Sequence, residues 1–143
     1  MAVRYYDQHV TSKLKDKKRL STFLQALIRV QRPEVKTIDL TYIFCHDDYL
    51  LEINQQFLQH NTLTDIITFD MSEEDRALQG EIYISTDRVQ ENTAKFKTGY
   101  NEELHRVIFH GALHLCGFKD KKPADKQRMR AEEDRCLNEY FSN

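Results

Sequence analysis

Apolar positions along this 143-residue chain change period several times, and each change predicts a different element. Leu20, Phe23, Leu24, Leu27 and Ile28 recur at helical spacing and predict a helix over residues 16–31. Arg32-Pro33 ends it, because a residue before proline is pushed out of the helical region. Ile38, Leu40, Tyr42 and Phe44 alternate with more polar residues, as in a strand over 37–45 with one buried face. A first strand is expected at 3–6, and a helix at 47–59 with Leu50, Leu51, Asn54, Phe57 and Leu58 along one side. Two β-rich runs, 65–71 and 81–85, flank the polar loop SEEDRALQ, and 86–97 reads as helical.

The next helix is apolar nearly all round, through Val107, Ile108, Phe109, Leu113 and Leu115, which makes it the expected buried central helix. Asn101 is its expected N-cap, Glu102 and Glu103 suit the positive end of its dipole, and Gly117 is its expected stop. A last helix over 125–140 would pack through Met129, Cys136, Leu137 and Tyr140. The expected class is α+β: a small mixed four-stranded sheet packed against a buried central helix and several other helices. The whole chain, 1–143, reads as one domain, a length that suits a single core.

Composition refines this only a little. With 40% hydrophobic and 31% charged residues the chain is an ordinary globular one, and no apolar run is long enough for a membrane span. The opening MAVRYYDQHV is too polar for a signal peptide, and three scattered cysteines form no disulfide framework, so the expectation is a cytoplasmic protein. The net charge of −2 argues against a binder of nucleic acid driven by charge alone. Locally the balance reverses: Lys119, Lys121, Lys122, Lys126, Arg128 and Arg130 are opposed only by Asp120 and Asp125.

That basic stretch adjoins the sharpest chemical signal, His110-Gly-Ala-Leu-His114-Leu-Cys-Gly117-Phe-Lys-Asp120. Histidines four residues apart project from the same face of a helix and can reach one ion. A helix stop at Gly117 lets the chain return with Asp120 as third donor. Two imidazoles and a carboxylate suit one Zn2+ per chain, and three protein ligands leave a position for water, the arrangement of catalytic zinc. The zinc-protease motif H-E-x-x-H carries its general base where this chain has Gly111, which makes peptide hydrolysis a minor reading. Cys116 is a conceivable extra ligand but should point away from the pair, and His105 lies on another face.

The same residues resemble the YbeY family of ribosomal-RNA maturation endoribonucleases. The family's H-G-x-L-H-L-x-G-Y-D-H is similar to residues 110–120, its P-T-D-V-L-S-F to 63–69, and its G-D-I-x-I-S to 80–85. Its L-N-x-x-Y-R segment corresponds to the stretch with Ile53, Asn54, Phe57 and Leu58. The resemblance implies a cytoplasmic, zinc-dependent endoribonuclease specific for single-stranded RNA. Its implied role is 3′-end maturation of small-subunit (16S) ribosomal RNA and ribosome quality control, with the ribosome or ribosomal proteins as partners and no membrane.

Two departures matter. Asp120 stands where the family has its third metal-binding histidine, which lowers the formal charge of the site and the acidity conferred on bound water. Leu58 stands where the family has an arginine. Lys119, Lys121 or His60 is expected to replace part of this positive charge, and these three with Lys122 are the expected RNA-binding residues. Glu81, Asp65 and Thr64 are the candidate catalytic side chains, Glu81 on motif position alone. The competing readings are a ribosome-assembly or RNA-binding factor whose metal is mainly structural, and a small-molecule metallohydrolase.

Overall fold

The alternating run at Thr37–Cys45 becomes the central strand β2, and the side chains of Ile38, Leu40, Tyr42 and Phe44 are fully buried. In the computed structural model, which describes residues 2–58 and 64–142, β2 pairs in parallel with β1 (Ala2–Asp7) on one side and β4 (Ala77–Ser85) on the other. Strand β3 (Ile66–Asp70) runs antiparallel to β4, so the order is β1-β2-β4-β3. Five helices complete the described chain: α1 (Lys17–Gln31), α2 (Asp47–Leu58), α3 (Thr86–Phe96), α4 (Tyr100–Leu115) and α5 (Pro123–Phe141). This is the α+β architecture expected from the patterning, with its mixed four-stranded sheet.

Three element starts differ by two residues or more from the sequence reading. Strand β4 begins at Ala77 rather than at 81, because β2 offers it a partner along its full length, down to the Thr37–Ala77 pair. The polar residues that read as loop are therefore partly strand, with Leu78 buried among them. Helix α4 is capped by Gly99 rather than Asn101. Asn101 lies inside the first turn, and its carbonyl accepts from Nδ1 of His105 at 2.7 Å. Helix α5 starts at Pro123, a residue whose missing N–H costs nothing at a first helical position.

The large core lies on the face of the sheet covered by α1 and α4, while Leu50 and Ile53 of α2 meet Cys45 and Ile67 in a smaller cluster on the other face. Helix α4 sits nearest the sheet. The hydroxyl of the fully buried Tyr42 donates to the carbonyl of Ile108 at 2.9 Å, and Gly111 lies directly on the strands. A Cβ at Gly111 would stand 2.9 Å from Cγ2 of Ile82 and 3.1 Å from Cδ1 of Ile66. The glutamate of a zinc protease cannot be accommodated there: it would enter the core between helix and sheet. His105, also on α4, is 2% exposed and stacks on Tyr140 at 5.2 Å, a core residue as its face implied.

Gly111→Glu, which restores the protease-like motif, should therefore cost about 3 kcal/mol or more, since it adds both bulk and an unpaired buried carboxyl. Urea unfolding measures this, and the variant should show no peptidase activity.

Candidate metal centre

Burying the Gly111 face of α4 leaves His110 and His114 on the adjoining, partly open side of the helix. Their rings are 4.5 Å apart between centroids. Both Nε2 atoms lie 3.2 Å from Oδ2 of Asp120, so three donors converge within 4.8 Å. Asp120 reaches this position through the turn that ends α4. Gly117 takes φ 102°, a conformation side chains resist, and the Phe118 N–H donates to Leu113 O while the Gly117 N–H donates to His114 O. That pair of bonds reverses the chain and delivers the carboxylate.

Hydrogen bonding on the far side of each ring sets the tautomers. Nδ1 of His114 lies 2.9 Å from the Phe118 carbonyl, and Nδ1 of His110 lies 2.6 Å from Oε2 of Glu133. A carbonyl and a carboxylate can only accept, so in each ring Nδ1 carries a proton and Nε2, turned toward Asp120, is the atom left to ligate a metal. The donor set fits a divalent metal of zinc type: two neutral imidazoles and a carboxylate, each imidazole oriented from behind. Cys116 is not among these donors. It packs against the main core, and burial pushes its thiol up to about 11.

Glu133 and Arg106 are the site residues that sequence reasoning missed. Glu133 is 5% exposed on α5, and Oε1, the oxygen not held by His110, accepts from Nη1 of Arg106 at 3.0 Å. Nη2 of Arg106 donates to Asp134 at 2.7 Å. Arg106 stands one helical turn before His110, which was a visible spacing, but nothing local marked Glu133 among the other acids of α5. Burial disfavours a charged His110. The hydrogen bond to Glu133 and the negative charges of Glu133, Asp120 and Asp65 outweigh that and hold its pKa above the ordinary value.

Two clefts, of about 530 and 650 Å³, meet at Asp65, His110 and Asp120. The Asp65 carbonyl accepts from the Ser85 N–H at 3.0 Å, which ties this residue to the end of β4. Burial raises the pKa of its carboxyl, an effect that the charge of His110 opposes. Thr64 lines the larger cleft, and its hydroxyl donates to the Ile66 carbonyl at 3.3 Å, a bond that holds the loop. Lys121 lines this cleft as well, and Lys119 and Lys122 flank it on the exposed turn after Gly117.

Glu81 is not brought to the site. Strand alternation points its neighbour Ile82 at Gly111 and sends Glu81 to the opposite face, where the Tyr83 hydroxyl donates to it at 3.1 Å. Its motif position identified the strand and not the face. His60 lies outside the described residues, as does Leu63.

A sequence model of the family described as Endoribonuclease YbeY matches residues 4–141. A protein named Endoribonuclease YbeY from Parabacteroides distasonis is 44% identical over 137 residues, covering 96% of this chain and 94% of that one. One of the same name from Flavobacterium psychrophilum is 57% identical over 99 residues, covering 69% and 70%. The solution structure of TM1509 from Thermotoga maritima superposes with a TM-score of 0.64 at 27% identity, covering 99% of this chain and 90% of that one.

Glu133→Gln should weaken zinc binding about 10- to 100-fold at pH 8, measured by competition with a chromogenic chelator. Zinc needs a neutral His110, so wild-type affinity should fall about tenfold per pH unit below the raised His110 pKa. Loss of the Glu133 charge lowers that pKa, and the decline in the variant should begin at lower pH.

Proposed function

The chain belongs to the YbeY endoribonuclease family, and from that premise we propose that it is a zinc-dependent endoribonuclease cutting single-stranded RNA. The observation that carries this reading is the convergence of two Nε2 atoms and Asp120 Oδ2 at the junction of two open clefts. Among the described residues this group has three protein donors, which supports an exchangeable fourth position. The alternative, an assembly factor whose metal serves only the fold, calls for a fourth protein donor.

His110, His114 and Asp120 would hold the ion. When bound, it would polarise a water molecule and stabilise negative charge on the phosphoryl oxygens. Asp65 takes the proton from the attacking water: it lines both clefts, and its raised pKa makes it a stronger base than an exposed carboxylate. Thr64 keeps the Asp65 loop in place and takes no proton. Arg106 and Glu133 keep His110 in the ligating tautomer. Lys119, Lys121 and Lys122 attract the phosphates of the strand entering beside β3. The substrate in this reading is small-subunit (16S) ribosomal RNA at its 3′ end. The partners are the ribosome or its proteins, the compartment is the cytoplasm, and the role extends to ribosome quality control. No helix among the described residues is long and apolar enough to cross a membrane.

Cleavage of a labelled single-stranded RNA by zinc-loaded protein tests the reading beside His114→Ala purified identically. Loss of about a thousandfold or more in the variant is expected. Equal cleavage would assign the activity to a contaminant, and absence of cleavage in both would favour the assembly factor. Replacing Lys119, Lys121 and Lys122 with glutamine should weaken RNA binding and flatten its log–log salt dependence by about two units.

A further inference from the structure

The smaller of the two clefts is built from one face of each of three helices. Helix α3 contributes Asn92 and Phe96, four residues apart, and α5 contributes Lys126, Met129 and Arg130. Helix α4 contributes Arg106, Val107 and His110, the last being a metal-site donor. In the floor, Val107 and Met129 are buried beside the equally buried Glu103 and Glu133, carboxylates held by Thr98 and Arg106 respectively. One wall is the ring of Phe96, which is 47% exposed although it is a large apolar side chain at a helix end. Two cations attend that ring: the Lys95 ammonium at 5.3 Å from its centroid and the Arg130 guanidinium at 5.9 Å. Asn92 adds an amide that can both donate and accept.

An exposed aromatic face, a planar guanidinium beside it, an amide one helical turn away and two cations at the rim form a stacking platform for a nucleobase with its phosphate. We propose that this cleft is a nucleotide subsite. A base of the RNA strand stacks on Phe96, Asn92 reads its edge, and Lys126 and Arg130 hold the adjoining phosphate. The proposal rests on the endoribonuclease reading and extends it. The strand crosses the metal centre, one flanking nucleotide lying in the cleft along β3 and the other turned outward onto Phe96. Only an unpaired base can leave its neighbours to reach that wall, so the subsite selects single strands. The tip of α3 thus contributes to substrate choice without touching the reacting atoms.

The test is an abasic scan. A short single-stranded RNA, intact or with one abasic nucleotide placed at each position around the cut, is bound by zinc-loaded wild type and by Phe96→Leu. Dissociation constants and cleavage rates are measured for both. Phe96 is exposed, so the variant should melt as wild type does. It should bind intact RNA about tenfold more weakly. One abasic position should cost wild type a similar factor and cost the variant nothing, because the two changes remove the same contact. Phe96→Trp should restore both the affinity and the abasic penalty. Penalties that remain independent at every position, or an unchanged Phe96→Leu, would overturn the subsite while leaving the endoribonuclease reading intact. Failure of wild type to bind or cleave the intact RNA would overturn that reading, and this proposal with it.

Discussion

The contact between Gly111 and the side chains of Ile82 and Ile66 determines how α4 lies, and through α4 the position of His110 and His114 at the metal centre. Only a residue without a Cβ lets the helix backbone settle this closely onto β3 and β4. Once that face is committed to the core, His110, one residue before Gly111, and His114, three residues after it, emerge together on the adjoining side. The constraint also explains why a motif so near that of zinc proteases lacks their glutamate. The same position cannot serve both as the point of closest helix–sheet approach and as a carboxylate beside the metal.

The two histidines are held by interactions of different reach. His114 is oriented by the Phe118 carbonyl, four residues away, within the turn that also returns Asp120. His110 is oriented by Glu133, 23 residues away on another helix, and Glu133 is in turn held by Arg106. Half of the centre therefore forms with the end of α4, while the other half requires α5 to dock. The Arg106–Glu133–His110 chain keeps Nε2 of His110 pointed at Asp120, so an ion would meet a ring already oriented.

Placement of the centre where two clefts meet gives it access from two directions. One cleft follows β3 and includes Lys121. The other is enclosed by α3, α4 and α5, with Phe96 on its wall. A three-donor group at such a junction is accessible to an extended polymer in a way that a closed structural site is not. Asp65, anchored to the end of β4, is the acidic side chain outside the donor group that faces both clefts together with His110 and Asp120.

Local patterns in the sequence were enough for the α+β class, for the buried helix, and for the three donors, because helical spacing and a stop glycine fix the relative positions of residues 110, 114 and 120 within one short stretch. Local pattern also sufficed to exclude His105 and Cys116, since their helix faces differ from that of the pair. It could not choose between the two faces of β4, and so Glu81 read as a neighbour of the metal although it lies across the sheet beside Tyr83. Nor could it distinguish Glu133 from the other acids of α5, or join Asn92 and Phe96 to Lys126 and Arg130. Those relations depend on how separate elements dock. Docking is decided by the sum of buried contacts across the whole core, which no short window of residues contains.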